Sequence, residues 1–154
     1  MKHLAAITAV YSEIATALDA QAAQARDAAD AALIERVAQK RQINDSTYFI
    51  LIWGQLEAEI NRVAEWAVRA RRSSIRWEDR RAWDAHDPEN MWAKFEDRAA
   101  LVLDRLNVDS DACRRTIRYD GWRNGIAHGA TLATGIDVPT VIGDLYQIAG
   151  EIRA

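Results

Sequence analysis

The sequence is poor in residues that interrupt helices or cross-link chains, with two prolines, seven glycines and one cysteine among 154 residues. Almost no stretch has the alternating pattern of a β-strand, which favours an all-α protein. The lone Cys113 cannot form a disulfide within the chain, and this fits a reducing compartment such as the cytoplasm. No apolar run approaches the roughly 18 residues that a transmembrane helix needs, so we expect no membrane partner.

The chain also lacks a large net charge. Its formal charge is −3, so there is no overall attraction to nucleic acid, and any contact with RNA has to come from a local patch. Hydrophobic residues make up 49% and charged residues 28%, a balance typical of soluble globular proteins. The length predicts a single domain over residues 1–154.

The amino-terminal stretch superficially resembles a secretion signal, because Lys2 is followed by an apolar segment and by small residues near Ala17. Tyr11, Ser12 and Glu13 interrupt that segment, and its apolar residues follow a helical period. We therefore expect a folded helix here rather than a cleaved signal.

Apolar residues at spacings of three and four predict the first two helices. The first runs from about Leu4 to Gln42, with a break or bend in its middle. The second is the strongest in the chain, and Asn44, Asp45 or Ser46 can cap its start. Its apolar face is continuous and consists of Phe49, Ile52, Trp53, Leu56, Ile60, Val63 and Ala67.

Three further helices follow the basic connector of residues 69–83. The third is predicted to start at Asp87 or Asn90, and its apolar side carries Met91, Trp92, Phe95, Ala99, Leu103 and Leu106. The fourth runs from about Ala112 to His128, and Pro139 lies in the first turn of the last. The sequence thus predicts an all-α, antiparallel bundle of about five helices.

The stretch GWRNGIAHGA, residues 121–130, contains the most distinctive polar cluster, formed by Arg123, Asn124 and His128. At 100° per residue, Asn124 and His128 share a face nearly opposite the apolar side that carries Trp122. His128 is therefore not expected in the core. Arg81 and His86 have the same spacing, but His86 lies in AHDPEN, a segment that breaks helices.

Glycines flank this cluster, although a glycine inside a helix costs about 1 kcal/mol relative to alanine. One interpretation is that Gly121 and Gly129 remove bulk where another helix or a phosphate approaches. The alternative for Gly129 is that it only ends the helix as a C-cap.

RNGIAH resembles the R-x(4–6)-H signature of the HEPN superfamily, in which a polar residue often follows the arginine, as Asn124 does here. The helix YFILIWGQLEAEINRVAEWA is similar to the second helix of many HEPN proteins. The resemblance covers most of the chain as an order of helices, and close similarity is confined to these two stretches.

This resemblance implies a small helical bundle that dimerises. Catalytically active HEPN proteins are metal-independent endoribonucleases of toxin–antitoxin, CRISPR and phage-defence systems. A toxin or defence effector is therefore implied, with an antitoxin or another defence protein as partner. Other members have lost the catalytic residues, so a non-catalytic HEPN-like module for dimerisation, nucleotide binding or partner binding is the main alternative. An all-α antitoxin or regulator with a coincidental motif is a third.

The residue types suit cleavage of RNA by its own 2′-hydroxyl. A histidine can act as base or acid near neutral pH, and an arginine offers a fixed charge to two phosphate oxygens. Asn124 can orient the imidazole of His128 or hold the phosphate. Because one histidine cannot easily be both base and acid, we predict a homodimer in which the motif helix carrying Arg123 and His128 lies at the interface.

The motif helix and the connector carry further charged groups. Arg114, Arg115 and Arg118 on the motif helix are predicted to guide the RNA substrate. The connector could track an RNA backbone, but its tryptophans are more readily explained as core and its arginines as partners of the following acidic stretch. We predict no cofactor and no metal site, because zinc prefers clustered ligands. The candidate ligands are scattered, at His3, His86, Cys113 and His128.

Overall fold

The computed structural model describes residues 1–84, 94–104, 106–107, 109–129 and 135–153, apart from the side chains of residues 79, 82 and 84. Within these ranges the chain is all α-helical without a strand, as the sequence predicted. The helices are α1 (Leu4–Asp27), α2 (Ala31–Arg72), α3 (Trp77–Asp84), α4 (Phe95–Val102), α5 (Ala112–Ala127) and α6 (Val138–Glu151). None of the helices in the described part of the chain is long and apolar enough to span a bilayer.

The break between α1 and α2 lies at Ala28–Asp30, inside the segment predicted as one interrupted helix. Ala29 has a positive φ of 48°, and the N–H of Asp30 donates to the carbonyl of Ala25 at 3.1 Å, which closes the end of α1. Oδ1 of Asp30 then accepts the N–H of Leu33 at 2.9 Å and caps α2. The predicted helix start at residues 44–46 is therefore wrong, since these residues lie inside α2.

Contacts between residues divide the chain into two compact units, each built from two separate stretches of sequence. Unit 1 comprises Met1–Gln55 and Trp122–Gly143, and unit 2 comprises Leu56–Gly121 and Asp144–Ala154. The predicted apolar face of the strong helix contributes to both units, and its seven residues from Phe49 to Ala67 are all buried, as predicted.

In unit 1, α1 runs antiparallel to the first half of α2. The hydroxyl of Tyr11 donates to Oδ1 of Asp45 at 3.1 Å, and the guanidinium of Arg41 pairs with Asp19. The rings of Tyr11 and Tyr48 meet edge to face at 5.4 Å. Burial, reinforced by the Asp45 carboxylate, raises the pKa of Tyr11 to about 12. These contacts explain why Asp45 lies within a helix instead of capping one.

In unit 2, polar contacts connect the end of α6 with the segment before α5 and a residue after α6 with the end of α4, and the unit has a buried apolar layer. The hydroxyl of Ser110 donates to Glu151 at 2.5 Å, and the N–H of Arg153 donates to the carbonyl of Val102 at 2.9 Å. The buried residues of this layer are Leu56, Ile60, Val68, Phe95, Ala99, Val102, Tyr119, Leu145 and Ile148.

The third predicted helix is shorter than its apolar spacing indicated. Its described part, α4, ends at Val102, because Leu103 has the extended conformation with φ −122° and ψ 131°. Leu106, predicted on the apolar side, is 87% exposed, so that part of the prediction is wrong. The predicted start at Asp87 or Asn90 lies outside the described residues. Pro139 lies in the first turn of α6, as predicted.

Candidate active site

Arg123 and Asn124 lie in the last turn of α5, and His128 is the first residue after it. The N–H of His128 still donates to the carbonyl of Asn124 at 3.1 Å, and the N–H of Gly129 donates to that of Ile126 at 2.9 Å. Gly129 has a positive φ of 82°, the left-handed conformation typical of a helix C-cap. The C-cap interpretation of Gly129 is therefore confirmed, and the cap holds the backbone of His128 in a defined position.

The three motif side chains differ in exposure. His128 is exposed, in agreement with the prediction that it lies outside the core. Arg123 and Asn124 are half-buried, and each has an interaction partner. Nε of Arg123 is buried, so the inner part of this side chain is enclosed by the protein. A guanidinium on an enclosed stem suits binding of an anion because less side-chain entropy is lost when the anion arrives.

The opposite side of this part of α5 packs into unit 1. The ring of Trp122 lies 6.0 Å from that of Phe49 on α2, with the planes inclined by 55°. Trp122 is half-buried and Phe49 is fully buried. This contact fixes the rotation of α5 about its axis, so that the turn containing the motif is positioned by packing.

Gly121 has no steric need to be glycine within the described chain. A Cβ built on Gly121 would meet no atom within 4 Å apart from its own local backbone, and the residue is exposed. A glycine in the interior of a helix nevertheless costs about 1 kcal/mol relative to alanine. The structure of one chain thus gives no packing reason for this glycine.

Arg115 lies in unit 2 and is bonded to carboxylates of its own chain. Its side chain is 13% exposed and pairs with Asp144 at 2.5 Å and with Asp111 at 2.6 Å. Its Nη1 also donates to Gln147 at 3.1 Å. These contacts neutralise the guanidinium and favour a structural role over the predicted role in guiding RNA.

The two other arginines predicted to guide substrate are exposed. Arg114 is an exposed residue of α5, and the guanidinium carbon of Arg118 lies 5.2 Å from the ring centre of Tyr119. Both belong to unit 2, whereas Arg123, Asn124 and His128 belong to unit 1. Arg114 and Arg118 remain predictions for substrate contact.

The side chains in the described ranges include no group of three His, Cys, Asp or Glu residues arranged to hold a metal ion.

Glu59, an acidic residue of α2, accepts hydrogen bonds from Arg62 at 2.5 and 3.2 Å. This bonding lowers the pKa of Glu59 below its usual range.

The connector of residues 69–83 differs from its sequence-based interpretation. Its second half forms α3, and Trp77 is 57% exposed, so the expectation that its tryptophans are core is wrong for this residue. Trp83 is half-buried. The pattern WEDRRAW carries two rings six residues apart, and this spacing places them on different faces of a helix. That was the signal in the sequence that one ring would face outward.

The resemblance to the HEPN superfamily rests on the sequence motif and the helix order alone. Comparison of this chain with family models, with curated proteins and with solved structures gives no match.

Proposed function

We propose that the protein is a homodimeric, metal-independent endoribonuclease of the HEPN type. The observation that carries this proposal is the exposed His128, held at the capped end of α5 with Arg123 and Asn124 in the turn before it. An imidazole exposed to solvent and a guanidinium in the preceding turn are residue types suited to a phosphodiester.

The proposed reaction is attack by the RNA 2′-hydroxyl on the neighbouring phosphorus. An imidazole takes the proton of that hydroxyl, and a second proton donor protonates the departing 5′-oxygen. The guanidinium of Arg123 stabilises the charge that builds up on the phosphorane oxygens. Asn124, one turn before His128, orients the imidazole or binds the phosphate.

The need for both a base and an acid favours two copies of the motif in one cleft. A two-fold axis near the end of α5 would bring a second His128 to the same phosphate. We further propose, from the resemblance alone, a cytoplasmic toxin or phage-defence effector with an antitoxin or another defence protein as its partner.

The proposal predicts cleavage of RNA by the purified protein in the presence of EDTA. The expected products end in a 2′,3′-cyclic phosphate and a 5′-hydroxyl, because the nucleophile is internal to the RNA. A matched strand of DNA is expected to remain intact, since it lacks the 2′-hydroxyl. Gel electrophoresis with analysis of the product ends measures both.

An intact RNA at high protein concentration would contradict the enzymatic proposal and favour the non-catalytic HEPN-like module. Cleavage that needs a divalent cation, or that leaves a 5′-phosphate, would contradict the mechanism.

A further inference from the structure

Unit 2 carries a segment in which exposed arginines accompany two exposed tryptophans. We call it the arginine–tryptophan surface, and it consists of Trp66, Arg69, Arg71, Ile75, Arg76, Trp77 and Arg81. Trp66 is 58% exposed, Trp77 57% and Ile75 97%, and the four arginines are all exposed.

Positive charge is concentrated in this segment. Residues 69–81 contain six arginines and two acidic residues, a net charge of +4 in a chain whose total is −3. The segment contains no lysine. A guanidinium matches two phosphate oxygens at once and stacks on flat rings, which an ammonium group does not do. The positive charge and the fact that guanidinium groups carry it both indicate that the binding partner is a polyanion that contains phosphates.

The turn that supports the surface is held by hydrogen bonds. Nη1 of Arg80 donates to the carbonyls of Ser74 and Ile75, at 2.8 and 3.0 Å. The N–H of Arg76 donates to Oγ of Ser74 at 3.2 Å. Because the turn is held in this way, the backbone that carries Ile75 and Arg76 is already in place before a partner binds.

A cavity of about 470 Å³ adjoins the surface within unit 2. Its lining includes Arg71 and Trp83 of the connector together with Leu103, Asp104 and Glu151. Its size falls in the range of roughly 300–1,000 Å³ that is common for small-molecule pockets. An indole, an apolar wall and carboxylate acceptors together suit a nucleobase, whose faces are flat and whose edges carry amino groups.

We propose that the arginine–tryptophan surface binds single-stranded RNA and that one base enters the cavity beside Trp83. A single strand supplies a phosphate for the arginines and an unpaired base for each exposed ring, whereas the bases of a duplex are not accessible for stacking. A membrane is less suitable, because five of the eight residues of α3 are charged and leave no continuous apolar face. The identification of the bound strand as RNA rests on the proposed function. The identification of the arginine–tryptophan surface as a binding surface does not rest on it.

The test measures binding of a fluorescently labelled, single-stranded RNA to the full chain carrying His128→Ala, so that cleavage does not interfere. Adding Trp77→Ala is expected to weaken binding about five- to a hundredfold, which corresponds to the stacking of one base. Adding Arg81→Ala is expected to weaken binding and to reduce its dependence on salt. Arg36→Ala, at an exposed arginine of unit 1, is the matched control and is expected to leave the affinity unchanged.

Equal affinities of the Trp77→Ala, Arg81→Ala and parent proteins would overturn the inference, as would equal binding of duplex and single-stranded RNA. Anionic phospholipid vesicles are the second probe, and binding to them that depends on Trp77 without binding to RNA would also overturn it. Thermal unfolding of each variant shows that the fold is kept. If the wild-type protein fails to cleave RNA while the Trp77 effect on binding is found, the proposed function fails and this inference stands.

Discussion

Replacing His128 by alanine should lower the rate of RNA cleavage about 10²- to 10⁴-fold, the contribution typical of a general acid or base. Replacing Arg123 by alanine should lower it about 10²- to 10³-fold, because the phosphorane charge then loses its fixed counter-charge. His128 is exposed and follows the last helical residue, so the free energy of unfolding should be unchanged by its replacement within about 0.5 kcal/mol. Single-turnover cleavage and denaturant unfolding measure the two quantities.

His3→Ala is the matched control for the histidine, since His3 is also exposed and belongs to the same unit. It should keep the wild-type rate. A His128→Ala protein that still cleaves RNA at the wild-type rate would remove His128 from the mechanism. A protein that loses cleavage only because it unfolds would be recognised by its lowered midpoint in denaturant.

Replacing Asp144 by alanine should lower the free energy of unfolding by about 2–4 kcal/mol. Its carboxylate pairs with Arg115 at 2.5 Å and accepts the hydroxyl of Tyr119, which is only 2% exposed. Removing the carboxylate leaves a largely buried guanidinium with Asp111 and Gln147 as remaining partners, and it leaves a buried hydroxyl without this acceptor.

Two controls separate charge from hydrogen bonding. Asp144→Asn keeps an acceptor for Tyr119 and should cost less than the alanine variant. Gln147→Ala removes only the contact at 3.1 Å with Arg115 and should cost about 0.5–1.5 kcal/mol. Urea unfolding measures all three variants. A loss below about 0.5 kcal/mol in Asp144→Ala would show that this network does not hold α5 to α6.

The hydrogen bond between Tyr119 and Asp144 also makes the free energy of unfolding depend on pH in the alkaline range. Burial and the hydrogen bond to Asp144 raise the pKa of Tyr119 to about 12 from its ordinary value of 10. The folded state therefore retains the phenolic proton more strongly than the unfolded chain does. The associated stability is fully present below pH 10 and is lost as the pH rises towards 12.

The sequence was sufficient to predict the parts of the fold that depend on helical periodicity. The buried face from Phe49 to Ala67 needed only the spacing of large apolar residues. The turn at Ala28–Asp30 could not be located in the same way, because alanine occupies the left-handed position where glycine is usual. The prediction that a helix starts at residues 44–46 was wrong because the side chain of Asp45 does not cap a helix. Its partner is Tyr11, a residue distant in sequence.

In the candidate site, too, some features could be predicted from the sequence and others could not. Helical geometry and the glycine after His128 were enough to predict an exposed histidine near a helix end. The pairing of Arg115 with Asp144 was not predictable, because it depends on how α6 packs beside α5 in unit 2. An arginine that guides a substrate and one that bridges two helices look alike in sequence, and only the positions of the carboxylates distinguish them.

The central claim is that two subunits meet at the end of α5, and a cysteine placed beside His128 tests it most directly. Ala127 is exposed and precedes His128, whereas the native Cys113 is buried. With a short reagent that joins two thiols, Ala127→Cys is expected to give a covalent dimer at low protein concentration. Ala20→Cys, at an exposed position of α1, should remain monomeric under the same conditions. A monomer in solution, or a dimer joined through Ala20→Cys and not through Ala127→Cys, would contradict the account.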